Sequence, residues 1–80
     1  MIYFVALPFV HVDGGLAPGE AVECAHAGAA IRPAEDLARK EGNAGAIAFS
    51  RQGSTELGEF EDAVILKTFD DVPDDFRFMT

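Results

Sequence analysis

The sequence predicts an α+β fold of order ββαββ, in which one helix packs on a small, mostly antiparallel sheet. Three features carry this prediction. The chain opens on an uncharged apolar run, its middle has one apolar stripe at helical spacing, and two apolar runs at strand spacing follow. An antiparallel sheet with its helix on one face is an α+β arrangement. The 80 residues fit one domain, spanning residues 1–80.

The first strand is predicted over residues 1–12, which carry no Asp, Glu, Lys or Arg. Even-numbered and odd-numbered side chains point to opposite faces of a strand, and here both sets are apolar. One helix covers one face of a sheet well, so we expect a second copy of the chain to cover the other, as a homodimer. Pro8 has no N–H to donate and favours a sheet-edge or bulge position. This favours face-to-face over edge-to-edge assembly.

The predicted interface residues are large apolar or aromatic side chains from the first strand and from the tail. Burying a side chain of this size contributes about 1.5–3 kcal/mol, so leaving several of them in water is costly. An exposed patch of this kind marks an interaction site. The candidates are Tyr3, Val5, Leu7, Phe9, Phe76 and Phe78.

A loop and a second strand are predicted after the first strand. Asp13-Gly14-Gly15 is a turn signal, and Pro18-Gly19 closes the predicted loop. Residues 20–24 alternate acidic with apolar side chains, which predicts a short, half-exposed strand.

The helix is predicted from apolar residues at i, i+3, i+4, i+7, i+10 and i+11. These residues are Ala27, Ala30, Ile31, Ala34, Leu37 and Ala38. Gly28 is the expected cap, and the alternative is a helix that begins at Pro33. The stripe continues through Pro33, which favours the longer helix. Because the apolar face is mostly alanine, we expect the helix to lie close to the sheet.

Two further strands are predicted, over residues 44–51 and 60–69, with a polar loop at 52–58 between them. The tail that follows mixes acidic residues with large apolar ones. A pocket between helix and sheet is expected to be lined by Ala34, Leu37, Ile47 and Phe49.

The potential metal ligands are His11, Asp13, Cys24 and His26. Cys24 and His26 are two positions apart and share a strand face. If Val12 pairs with Glu20, Cys24 lies opposite Pro8. This register separates Cys24 and His26 from His11. Structural zinc normally takes four closely spaced ligands, so no metal site and no cofactor are predicted. No nucleophile or acid–base pattern points to catalytic residues, and an enzyme is the third choice.

The charge balance is strongly acidic, with fourteen Asp and Glu against six Lys and Arg, a net charge of −8. This field repels a phosphate backbone, so nucleic-acid binding is not expected. The first apolar run is shorter than the roughly 20 residues that span a bilayer, so no membrane association is expected. Cys24 stands alone, which is typical of a reduced cytoplasmic protein.

A resemblance to known proteins rests on four stretches, Gly19–Cys24, Ala48–Gly53, Gly58–Phe60 and Asp71–Pro73. With these stretches the chain resembles a family of short bacterial proteins that has no assigned activity, and the resemblance covers most of the chain. It implies a stand-alone domain and carries no functional residue with it.

The function expected from these patterns is that of a non-enzymatic interaction or regulatory module acting as a homodimer. The alternative is a small-molecule binding protein that uses the pocket between helix and sheet.

Overall fold

The computed structural model describes residues 1–54, 59–60 and 63–73, and side chains at 1–53 and 63–73. Its elements in chain order are β1 (Ile2–Val12), β2 (Gly15–Pro18), β3 (Val22–Cys24), α1 (Ala27–Arg39), β4 (Gly45–Ser54), β5 (Glu59–Phe60) and β6 (Val64–Asp70). Strands β2 and β3 pair with one side of β1, and β4 pairs with the other. Strands β5 and β6 pair with the far side of β4. All of these pairings are antiparallel, which confirms the predicted α+β fold.

The first hairpin is tighter than the sequence predicts. Asp13 and Gly14 have φ of 37° and 82°, and Val12 pairs directly with Gly15. Two central residues with positive φ form the two-residue turn that matches the twist of paired strands. The predicted loop is therefore wrong over residues 15–18, which form β2. Gly15 and Pro18 are poor strand formers, and pairing with β1 overrides their local preference.

Pro8 determines where the neighbouring ladder breaks. The register shows two β1 residues, 7 and 8, facing three residues, 19–21, between β2 and β3. The Gly19 N–H donates to the Pro8 carbonyl oxygen at 2.8 Å, so the missing Pro8 N–H points to the same side. Of the two positions expected for Pro8, a sheet edge or a bulge, the edge is wrong, because β1 lies inside the sheet; Pro8 lies opposite the break between β2 and β3. The register predicted from Val12 and Glu20 is wrong, since Cys24 lies opposite Phe4.

Helix α1 runs through Pro33, as the apolar stripe predicts. Its cap is His26 and not the expected Gly28, because the His26 Nδ1 accepts from the Ala29 N–H at 3.1 Å. At the other end, the Leu37 carbonyl oxygen accepts from the Lys40 N–H at 3.2 Å and from the Asn43 side-chain amide at 2.8 Å. Both ends of α1 therefore have side-chain partners for backbone groups that the helix itself leaves unpaired.

Two buried clusters lie on opposite faces of the sheet. The cluster on the helix side, which we call the alanine face, consists of Ala6, Ala30, Ala34, Ala38, Ala46 and Ala48. The cluster on the other side, which we call the large-residue face, consists of Leu7, Phe9, Ile47 and Phe49. The alternation along β1 and the close approach of an alanine-rich helix are both confirmed.

Gly45 lies where β4 meets the end of β6. A Cβ atom at this position would lie 2.6 Å from the Phe69 carbonyl oxygen and closer still to that of Asp71. The Asp71 N–H also donates to the Ala44 carbonyl oxygen at 3.2 Å. The backbones of β4 and β6 therefore approach at a distance that only glycine allows.

Candidate functional site

The four potential metal ligands lie in different parts of the fold, and two of them, Cys24 and His26, make side-chain hydrogen bonds. His11 is in the projecting end of the first hairpin, and Asp13 is in its turn. Cys24 packs against the alanine face and its thiol donates to the Val22 carbonyl oxygen at 3.5 Å, while His26 caps α1. Among the described residues, no group of three or more His, Cys, Asp or Glu side chains is placed to hold an ion.

The predicted interface residues on β1 are largely buried within the single chain. Leu7 is 6% exposed, Phe9 is 0% exposed, and Tyr3 and Val5 are half-buried. The expectation that Leu7 and Phe9 stay exposed until a partner covers them is wrong. Among the described residues, Ala63, Ile65 and Val72 pack against this face. Phe76 and Phe78 lie outside the described residues.

The expected ligand pocket is also placed differently. Ile47 and Phe49 belong to the large-residue face, whereas Ala34 and Leu37 lie on the helix side of the sheet. These four side chains cannot line one pocket because the sheet separates them. The error comes from assigning the large side chains of β4 to the helix side, where the structure places Ala46 and Ala48.

Strand β6 provides the longest open edge in the described part of the chain. It pairs with β4 over residues 64–70, and no described strand pairs with its other side. The Asp71 N–H donates to the Ala44 carbonyl oxygen, toward β4. Because this direction alternates along the ladder, the backbone N–H and C=O groups of Phe69 and Lys67 also face β4. Thr68, which lies between them, directs its N–H and C=O outward. We call this side of β6 the open edge.

Apolar side chains lie close to the start of the open edge. Val64 is 61% exposed and Ile2 is 54% exposed. Ser50 pairs with both Phe4 and Val64, so Val64 shares the helix-side face with Phe4 and with Ile2, two residues earlier. The open edge therefore combines unpaired backbone groups with exposed apolar surface.

A cavity lies between the end of α1 and the break between β2 and β3. Its volume is about 400 Å³, within the range of small-molecule sites. Apolar walls come from Pro8, Val22 and Leu37, and polar groups come from Glu20, Lys40 and Asn43. Gly19 forms part of the wall beside Pro8. We call this space the helix-end cavity.

Neither the open edge nor the helix-end cavity was identified from the sequence, and only the cavity leaves a signal there. The open edge depends on β6 being outermost, and strand order is not visible in a pattern of apolar residues. The cavity depends on the ladder break opposite Pro8, which is visible as a proline in an apolar strand. Its charged residues, Glu20 and Lys40, are twenty positions apart and become neighbours of one space only through the fold.

No helix in the described part of the chain has both the length and the apolar character needed to cross a bilayer. Comparisons with protein-family models, with curated proteins and with solved structures find no match for this chain.

Proposed function

We propose that the protein is a non-enzymatic interaction module that acts as a homodimer, with the open edges of two copies pairing antiparallel. The observation that carries this proposal is the outer side of β6, which is seven residues long, begins at the exposed Val64 and pairs with no strand in the described part of the chain. A strand edge with unpaired N–H and C=O groups is a template for pairing with another chain.

The symmetry of such an edge supports a second copy of the chain as the partner. Two copies of one strand pair antiparallel about a two-fold axis, and dimers with this symmetry are the commonest homo-oligomers. The burial of Leu7 and Phe9 supports edge-to-edge over face-to-face assembly, because large-residue surface that one chain already buries is not free to join two.

Net charge acts against self-association and provides a test of it. Each copy has a formal charge of −8, so two copies repel each other through the solvent. Salt screens this repulsion over about 10 Å at 0.1 M ionic strength. We therefore expect the dimer to form at lower protein concentration as salt is added.

The test is the solution mass, measured by light scattering over a range of protein and salt concentrations. We expect twice the 8.5 kDa of one chain. Thr68→Pro removes an N–H that faces outward and should give monomers that remain folded by circular dichroism. Thr68→Val keeps that N–H and is the matched control, which should remain dimeric.

Two results contradict this proposal. One is a monomeric mass for the natural chain at every concentration. The other is a dimer that Thr68→Pro leaves intact, which would move the interface away from β6.

A cytoplasmic location is part of the same proposal. Its support is Cys24, a lone half-buried cysteine with a thiol and no disulfide partner. Fractionation of cells that produce the full chain should recover it with reduced cytoplasmic proteins, and recovery from an oxidising compartment contradicts this location.

A further inference from the structure

The helix-end cavity holds two opposite charges that do not neutralise each other. Glu20 and Lys40 both line it, and among the described residues neither side chain forms an ion pair or a hydrogen bond. Two unpaired charges of opposite sign around one apolar space are complementary to a ligand that also carries both signs.

The wall between the charges is apolar and well fixed. Pro8 is buried in the central strand β1, and Leu37 is held in the last turn of α1. The Leu37 carbonyl oxygen accepts two hydrogen bonds, from Lys40 and Asn43, which fix the end of the helix against the cavity. A ligand with a short aliphatic side chain would bury it against this wall.

Asn43 supplies a third polar contact. Its side-chain Nδ2 donates to the Leu37 carbonyl oxygen at 2.8 Å, which holds the amide in place and leaves Oδ1 without a partner among the described residues. The cavity therefore has two acceptors, Glu20 and Asn43, and one ammonium donor, Lys40. Acceptors suit a ligand ammonium group, and the donor suits a ligand carboxylate.

We propose that the helix-end cavity binds a small zwitterion of the α-amino-acid class with an aliphatic side chain. The Lys40 ammonium contacts the ligand carboxylate. The Glu20 carboxylate and the Asn43 Oδ1 contact the ligand ammonium group, and Val22 and Leu37 contact the side chain. This site differs from the open edge because it recognises its ligand through polar side chains and not through strand pairing.

The test is a titration of the full-length chain with L-leucine, followed by amide chemical shifts in two-dimensional NMR. We expect saturable shifts centred on the amides of Gly19, Glu20, Lys40 and Asn43. Two analogues separate the contacts: L-leucinamide lacks the carboxylate, and 4-methylpentanoate lacks the ammonium group. Each should bind at least tenfold more weakly, which corresponds to about 1.4 kcal/mol.

Variants complete the test without disturbing the core. Lys40→Gln and Glu20→Gln should each weaken L-leucine binding at least tenfold. Glu23→Gln, at an exposed position on β3 that does not line the cavity, should leave binding unchanged. All three side chains are exposed, so the variants should keep the thermal midpoint of the natural chain.

Three outcomes overturn this proposal. The first is the absence of saturable shifts at millimolar L-leucine. The second is equal binding of L-leucine and 4-methylpentanoate, which would show an apolar cleft without charge recognition. The third is unchanged binding in Lys40→Gln or in Glu20→Gln.

Discussion

On the alanine face, three helix alanines meet three strand alanines, whereas on the large-residue face four bulky side chains from β1 and β4 pack together. Strands β1 and β4 contribute to both faces, with small side chains on the helix side and large ones on the other. Small side chains let the helix backbone come close to the sheet, so there is little volume left to fill. The large-residue face has no helix from the described residues above it and must fill its own volume with side chains. Substitutions should therefore destabilise the large-residue face by removing volume and the alanine face by adding it.

The largest effect is expected from removing volume on the large-residue face. Phe9 is fully buried, so Phe9→Ala should lower the free energy of unfolding by about 3–5 kcal/mol by leaving a cavity. Urea denaturation followed by circular dichroism measures this change. Val12→Ala, at a side chain 45% exposed on the same strand, is the control and should cost much less. Equal losses in the two variants would show that Phe9 is not a core residue.

A smaller effect is expected from adding volume on the alanine face. Ala34 is fully buried between helix and sheet, so Ala34→Leu should destabilise the protein by about 1–3 kcal/mol through overpacking. Arg32→Leu places the same side chain on the exposed side of the same helix and should change stability by about 0.5 kcal/mol or less. If Ala34→Leu is as stable as the natural chain, the contrast between the two faces is wrong, because the helix would then not pack closely on the sheet.

The smallest effect is expected at the start of the helix that covers the alanine face. His26→Ala removes the side-chain acceptor of the Ala29 N–H and should cost about 0.5–2 kcal/mol. His26→Asn keeps an acceptor at the cap and should recover most of that loss. Thermal unfolding of the three proteins gives the ranking. If the Ala and Asn variants unfold at the same temperature, the cap hydrogen bond is not what stabilises this helix end.

The elements that depend on side-chain spacing could be predicted from the sequence. The alternation along β1 and the alanine stripe of α1 are periodic signals, and the structure places both as their periods require. The continuation of the helix through Pro33 was also predicted, because the stripe continues on both sides of it.

The features that depend on pairing between distant segments could not be predicted in this way. The register of Cys24 against Phe4 follows from a two-residue turn and from three residues, 19–21, that lie opposite two on β1, and a pattern of apolar residues shows neither length. The assignment of Ile47 and Phe49 to the helix side failed because a strand's period gives two faces and does not say which one meets the helix. The open edge depends on strand order and the helix-end cavity on the break opposite Pro8, so the residues that form each of them come together only in the fold.

The break opposite Pro8 has a consequence for how this scaffold could diversify. Residues 19–21 have no strict one-to-one partners on β1, so an insertion or deletion there leaves the pairing of β2 and of β3 in register. Two of them, Gly19 and Glu20, also line the helix-end cavity. A change of length at these residues would therefore remodel the wall of this cavity while the sheet that supports it stays the same.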